Sequence, residues 1–493
     1  MDGSGSRSVR GPLGNAWWES LQRRSSSWLL AQPERLCAAA DRFRFGSVRG
    51  GEIAHVVLLI LCLCIPYVLF ARYRHDFAAA LHGLLHTAPP PPLDPSLEVP
   101  VAGFYPAAHA VFAASCLIPR SVRTGFLVAS GAGLVVATPL GDPFSAAVLA
   151  AYLGGVFAIA RSRSLGLGTK LAIVMGTYLA LLNACELLEG SALALRWPFS
   201  GAPAIVAIST FAPGFVPMLW YSVHDISGGR MSRGGFGLYL FCRFFNAPAF
   251  SPRELRVDHA HSRRWQWRGV AALGSAFLSA FLYWALRRRF LDVHHPDWFS
   301  SSGARLWGYS YVFYLAFGFR LQAWLNVFVG LARLAGVPVE DNFHFWALAR
   351  TPNERWRRWN RLFREWILTF VFYPMMRARR GLFAAIMVTL LSSGLVHVAG
   401  TLSPGRWSAW TAALQLAYWS INGLAIYSVV VFPRRWPEWV ERLRLRDLAV
   451  WSLLGILATG ASFGVLFVAR DRTGSLGELL GYLGRLADVF PAR

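Results

Sequence analysis

From Leu382 to Gly400 the chain reads LFAAIMVTLLSSGLVHVAG, a run without Asp, Glu, Lys or Arg and with one ionisable side chain, His397. Such a run suits a helix crossing a bilayer, because a helix satisfies its own backbone polar groups where water is absent. An imidazole inside it is costly, and its default reading is functional. On a helix the neighbours three and four positions from His397 are Ser393, Gly394, Gly400 and Thr401. Two glycines and two hydroxyls leave room for a ligand beside the ring. The structural alternative is that His397 hydrogen-bonds a neighbouring helix, with the hydroxyls serving the same purpose.

The rest of the chain is written in the same style. Hydrophobic residues make up 55%, charged residues 15%, and mean hydropathy is +0.39 over 493 residues, against about 25% charged in ordinary soluble domains. An all-α, polytopic integral membrane protein is expected. Apolar segments fall at about 53–71, 101–118, 124–139, 143–160, 170–188, 203–223, 269–286, 307–334, 409–432 and 448–469. Several are shorter than the ~20 residues of a straight span, which predicts tilted, broken or re-entrant pieces. The net charge of +23 is mostly arginine flanking apolar segments. That pattern points to cytoplasmic loops and anionic headgroups, and away from nucleic acid.

Residues 1–50 have no cleavable-signal pattern and are read as a cytoplasmic or interfacial lead-in. A single membrane domain is expected over 51–470, followed by a short amphipathic tail at 471–493.

Upstream of His397 lies PNERWRRWNRLFREW, then an apolar stretch ending in FYPMM and a turn at RARRG. If 361–376 and 382–397 are both helical, each leg rises roughly 24 Å at ~1.5 Å per residue. The hairpin would then return Asn360 and His397 to a comparable level, facing one cavity. On a continuous helix Trp356, Trp359 and Phe363 would share a stripe, with arginines around the remaining circumference, as suits a headgroup layer.

This stretch, from GLARLAG at 330–336 through VPVEDNF and PNERWRRWNRLFREW to FYPM, resembles the membrane-bound O-acyltransferase family, most closely its bacterial branch that acylates polysaccharides and teichoic acids. The resemblance implies a bundle of about ten to twelve membrane segments with re-entrant or interfacial helices, its catalytic half at about 237–432. His397 takes the place of the family's catalytic histidine and Asn360 that of its first polar site residue. Asparagine stands where the bacterial branch usually has histidine, and Val396 and Val398 replace the family's Trp and Gly.

By that resemblance the chain moves an acyl group from a thioester, acyl-coenzyme A, to a hydroxyl of a lipid, glycan or small alcohol. His397 would be the general base and Asn360 its orienting amide. Trp356, Arg357, Arg358, Trp359, Ser393 and Gly394 would contact substrate, the arginines meeting the donor's phosphates or serving only as positive-inside anchors. No metal or resident cofactor is implied. Membrane lipids are expected partners, an accessory acyl-transfer protein is compatible with the scheme, and the location would be a bacterial inner membrane. The alternative is a transporter or lipid-translocating protein without acyl chemistry, in which His397, Glu186 and Arg320 line a pathway.

Other polar residues are read more plainly. Asn183 and Glu186 share a helical face and favour a structural role. His224 and Asp225 sit at a segment boundary and are expected to be solvated. Gly237–Asp258, rich in prolines and aromatics, is expected to be interfacial or re-entrant. His294, His295 and Asp297 lack the spacing of a zinc site. Arg320 and Gln322 are unusual at membrane depth, and the arginine is a candidate to hold an anion. The six cysteines give no disulfide or metal pattern.

Overall fold

The computed structural model describes residues 143–189, 212–230, 262–287, 290, 302–334, 336, 338–400, 409–435, 445–472 and 475–487, with short pieces between 32 and 62. The apolar segments expected at 101–118 and 124–139, the Gly237–Asp258 element and the His294–Asp297 loop lie outside these residues. So do the side chains of Asn183 and Glu186.

Helices α1 (Pro143–Arg161), α2 (Leu167–Glu189) and α3 (Ala212–Ser227) precede α4 (Ser262–Leu286) and the long α5 (Gly303–Leu334). A loop with a short 3₁₀ turn at Trp346–Leu348 leads to α6 (Pro352–Arg358), α7 (Arg361–Ile367), a π-helical turn at Leu368–Phe372 and α8 (Tyr373–Arg377). Then come α9 (Leu382–Gly400), α10 (Ala409–Arg435), α11 (Leu445–Arg472) and α12 (Leu476–Ala487). Apart from paired dipeptides at Arg44–Phe45 and Val48–Arg49, the described residues form an all-α fold.

Two of the main pairings join helices adjacent in the chain. Helix α4 packs along α5, α9 along α10, and α11 returns to lie against α5. Glycines set the closest crossings. A Cβ on Gly269 of α4 would lie 2.7 Å from the Gly330 carbonyl of α5, so only glycine permits this approach. Gly464 of α11 sits against the Ser310 carbonyl of α5 with no room for a methyl. Small residues at helix contacts let the two backbones approach closely.

Buried polar groups lock the same faces together. Ser275 on α4 accepts from Asn326 Nδ2 at 3.1 Å and Gln322 Nε2 at 3.2 Å, and Trp346 Nε1 donates to Gln322 Oε1 at 2.7 Å. Gln322 is therefore a latch between α4, α5 and the loop. Arg320, expected as an anion holder, is exposed; an arginine two positions from Gln322 on a helix points to another side.

The pair at the end of α3 also differs from expectation. Asp225 is buried, accepting from Arg230 at 2.7 Å and contacting His224 Nδ1 at 2.9 Å. The helix runs on through both residues to Ser227, so the boundary lies beyond them and the carboxylate finds a guanidinium instead of water.

Among the described residues, Ala412–Val431 is long and apolar enough to cross a membrane. Ala151–Arg161, Leu382–Val398 and Leu453–Leu466 are shorter apolar stretches.

Candidate functional site

The approach to the site begins with a well-capped helix. Thr351 Oγ1 accepts from Glu354 N at 3.1 Å and Pro352 opens α6, the arrangement expected where the first amides lack intrahelical partners. Glu354 accepts from the Arg350 backbone at 2.8 Å and pairs with the side chains of Arg350 and Arg358. Arg358 is thus held by a carboxylate, whereas Arg357 is exposed.

The helix then breaks. Trp359 is extended (φ −102°, ψ 128°) and Asn360 is left-handed (φ 41°, ψ 58°) before α7 begins at Arg361. Asparagine is among the few non-glycine residues that visit this region readily. The single stripe of Trp356, Trp359 and Phe363 expected on a continuous helix therefore does not form. Trp359 turns into the core against Trp346, with centroids 4.9 Å apart, and Phe343. Trp356 and Phe363 take the other side.

The hairpin itself is present, with both arms helical, although the Leu368–Phe372 π turn interrupts the first. That turn puts Phe370 against Tyr221 and His224 of α3, centroids 5.0 and 5.3 Å away. Arg377 to Gly381 make the bend, with Arg379 and Gly381 at positive φ. The return arm is α9, and it brings His397 to the first arm: the imidazole meets the edge of Phe363 with centroids 5.6 Å apart. Phe363 is one turn beyond Asn360 on α7.

His397 is half-buried. Its Nδ1 is 2.7 Å from the Ser393 carbonyl. A carbonyl only accepts, so Nδ1 carries the proton in this contact and Nε2 is the nitrogen able to take one. On the other side the ring faces Trp419 of α10, centroids 4.9 Å apart, and Trp419 in turn meets Trp356 at 5.7 Å. The order Trp356, Trp419, His397, Phe363 makes an aromatic corner joining α6, α10, α9 and α7.

Two polar atoms of this corner have no partner: Ser393 Oγ, one turn from His397, and Trp419 Nε1 are buried and unbonded. Trp366 Nε1, on the ring beside Phe363, and Asn360 Oδ1, at the start of α7, are likewise buried and unbonded. Buried polar groups are normally paired, and each that is not calls for an explanation such as a ligand or ordered water. A Cβ on Gly394 would lie 2.9 Å from Trp419 Cδ1, so the absent side chain at this position makes room for the indole.

Three contributors escaped the sequence reading. Trp419 sits on the helix after His397, and nothing in its local sequence marks its register against α9. Arg355 carried no signal separating it from its surface neighbours, yet it is buried, stacked on Phe463, Trp359 and Tyr314 with its carbon 3.5, 4.5 and 5.2 Å from the ring centroids. Asn342 lay within a motif noted only for resemblance; it is fully buried and caps α7 from a distant loop. Arg364, in α7, pairs with Glu365 at 2.7 Å.

No family model matches the chain. A stretch of 103 residues is 23% identical to a diacylglycerol O-acyltransferase 1-1 of Oryza sativa subsp. japonica. It covers 21% of this chain and 17% of the plant protein, so the likeness is a distant one to part of an acyltransferase.

Proposed function

We propose that this chain is a multi-pass membrane O-acyltransferase that transfers an acyl group from a thioester, acyl-coenzyme A, to the hydroxyl of a lipid, glycan or small alcohol. The observation that carries this reading is the aromatic corner at His397, where a histidine with its Nδ1 proton committed to a carbonyl stands beside the buried, unbonded Ser393 Oγ and the Trp419 indole, whose Nε1 is also unbonded. The partial likeness to a plant diacylglycerol acyltransferase supports the reaction class and favours a lipid alcohol as acceptor.

In this scheme His397 Nε2 removes the acceptor's hydroxyl proton as its oxygen attacks the thioester carbonyl. The carbon–sulfur bond then breaks, the thiolate takes the proton from the imidazolium, and the products are an ester and free thiol. Positioned proton transfer of this kind contributes roughly 10²- to 10⁴-fold. Ser393 Oγ and Asn360 supply neutral groups for the carbonyl or the attacking hydroxyl, which suits a site where a further charge would be expensive to desolvate. Arg357, exposed beside α6, is available to donor phosphates, while Arg358 has first to share Glu354. Trp356 supports the wall from α6 through Trp419, while Trp359, just past α6, backs it from the core against Trp346. The protein resides in a bacterial inner membrane in this reading, with membrane lipids as neighbours, an accessory acyl-transfer protein compatible with it and no resident cofactor.

The deciding experiment measures free thiol released from labelled acyl-coenzyme A by purified protein supplied with lipid and glycan acceptors. His397→Ala and Asn360→Ala are expected to insert normally and lose at least 10²-fold in transfer. Undiminished thiol release by His397→Ala removes the proposed base, and absence of acyl transfer by the unaltered protein favours a transport role.

A further inference from the structure

We infer that Asn342 is a positioning residue for the site: it caps helix α7 in place of Asn360 and so leaves the Asn360 amide available to substrate. The inference rests on the acyltransferase reading above.

A residue at the N-cap of a helix ordinarily turns its side-chain oxygen back onto the amide of the second or third helical residue. Asn360 occupies that position on α7 but makes no such bond. Its left-handed backbone (φ 41°, ψ 58°) is not the extended geometry from which capping side chains reach back, and its Oδ1 is buried without a partner. The orphan amides are nevertheless satisfied. Leu362 N donates to Asn342 Oδ1 at 3.0 Å, and Arg361 N donates to the Asn342 backbone carbonyl at 2.9 Å. One residue twenty positions upstream therefore covers the first two amides of α7 with both of its oxygens.

The loop bearing Asn342 is itself fixed. His344 N donates to the Arg358 carbonyl at 3.0 Å, just before the break. Arg333, buried at the end of α5, donates to the Val339 carbonyl at 2.7 Å and pairs with Asp341 at 2.8 Å. Asn342 has no exposed surface. The acceptor role fixes its amide orientation, directing Nδ2 elsewhere, and that nitrogen too is buried and unbonded. The loop thus clamps the chain on both sides of Asn360. Without the clamp, Asn360 would gain by relaxing to an extended N-cap and bonding α7 itself, which would withdraw its amide from the site.

The test compares Asn342→Asp, which keeps an acceptor oxygen at the same place, with Asn342→Leu, which keeps the branched skeleton and removes the acceptor. Both are made in the full-length protein, alongside His397→Ala. Two quantities are read: hydrogen exchange at the Leu362 amide, and steady-state acyl transfer from acyl-coenzyme A. Asn342→Leu is expected to lose protection at Leu362 and to drop kcat by about tenfold or more while KM for the thioester changes little. Asn342→Asp is expected to retain protection and most of kcat. A merely structural residue would lower the yield of active protein without this split and without rescue by the aspartate.

Unchanged exchange and turnover in Asn342→Leu, or equal losses in both variants, would overturn the inference. Wild-type transfer by His397→Ala would instead count against His397 as the base, and absence of transfer by the unaltered protein against the acyltransferase reading, with exchange at Leu362 still deciding whether Asn342 is the cap.

Discussion

The His397 imidazole and the Trp419 indole face each other with centroids 4.9 Å apart and planes inclined at 44°, and the indole reaches that position only because residue 394 has no side chain. The contact fixes one wall of the corner in which His397 sits. It also ties α9 to α10 at the level of the ring, so the geometry of the proposed base depends on helix packing as well as on its own rotamer.

Gly394→Ala tests this dependence. The added methyl would lie 2.9 Å from Trp419 Cδ1 and 3.2 Å from Cγ, against a rigid ring edge that cannot bend aside. Overpacking of this kind costs about 1–3 kcal/mol. The variant is expected to melt earlier and to release thiol several-fold more slowly. Wild-type turnover in Gly394→Ala would show that Trp419 does not set the wall against His397.

Ser393→Ala separates stability from function. Ser393 Oγ is fully buried and makes no hydrogen bond, so the fold bears a desolvation cost of about 1–3 kcal/mol that nothing in the protein repays. Removing the hydroxyl is expected to leave the thermal midpoint unchanged or raise it. Acyl transfer should fall by roughly 10- to 100-fold if the hydroxyl serves the reacting carbonyl. A variant that is both less stable and fully active would assign Ser393 to packing alone.

Arg355 offers a third test, through the shape of its cation. Its guanidinium lies between the faces of Phe463, Trp359 and Tyr314 and donates from Nε to the Tyr314 hydroxyl at 3.3 Å. No carboxylate pairs with it among the described residues. Desolvated cation–π contacts are worth about 2 kcal/mol or more, and a planar guanidinium can stack where an ammonium cannot. Arg355→Lys keeps the charge but should lower the thermal midpoint. Trp359, which precedes the break at Asn360, should become more accessible to a fluorescence quencher. An unchanged midpoint would mean that the aromatic cage contributes little.

The sequence made the helices legible because apolar content over a long run overrides local detail. The apolar segments expected at 143–160, 170–188, 307–334, 409–432 and 448–469 correspond to α1, α2, α5, α10 and α11 within a few residues at each end, while α4 starts seven residues before the expected 269. The hairpin was legible for the same reason, its bend marked by Gly381 and the arginines before it. The break at Trp359–Asn360 was not, because it contains neither glycine nor proline and is imposed by a loop clamped from elsewhere. Buried charges were missed on similar grounds. Arg333, Arg355 and Asp225 look like surface residues until distant carbonyls, rings or a guanidinium come to meet them. At the site, His397 and Ser393 were within reach of helical periodicity, whereas Trp419 required the register between two helices.

Alkaline pH is expected to loosen the packing of α12 against α5. Tyr482 is buried against α5, its hydroxyl 2.7 Å from Ser310 Oγ, while Trp307 Nε1 donates to the Leu486 carbonyl at 3.1 Å nearby. Burial raises the Tyr482 phenol well above its ordinary value, with the Ser310 hydrogen bond a smaller opposing influence. The unfolded phenol ionises near pH ~10. Below that pH both states hold the proton and the docked helix has its full stability. Above it the undocked state loses its proton first, so stability falls as pH rises towards the folded value. Proteolysis at a site engineered just before α12, after a brief exposure to alkali, should therefore increase above pH ~10 in the unaltered protein. Tyr482→Phe should weaken docking slightly at neutral pH by leaving Ser310 without its partner, yet remove this tyrosine's share of the alkaline loss. Equal alkaline sensitivity in the two proteins would mean that another group controls the docking of α12.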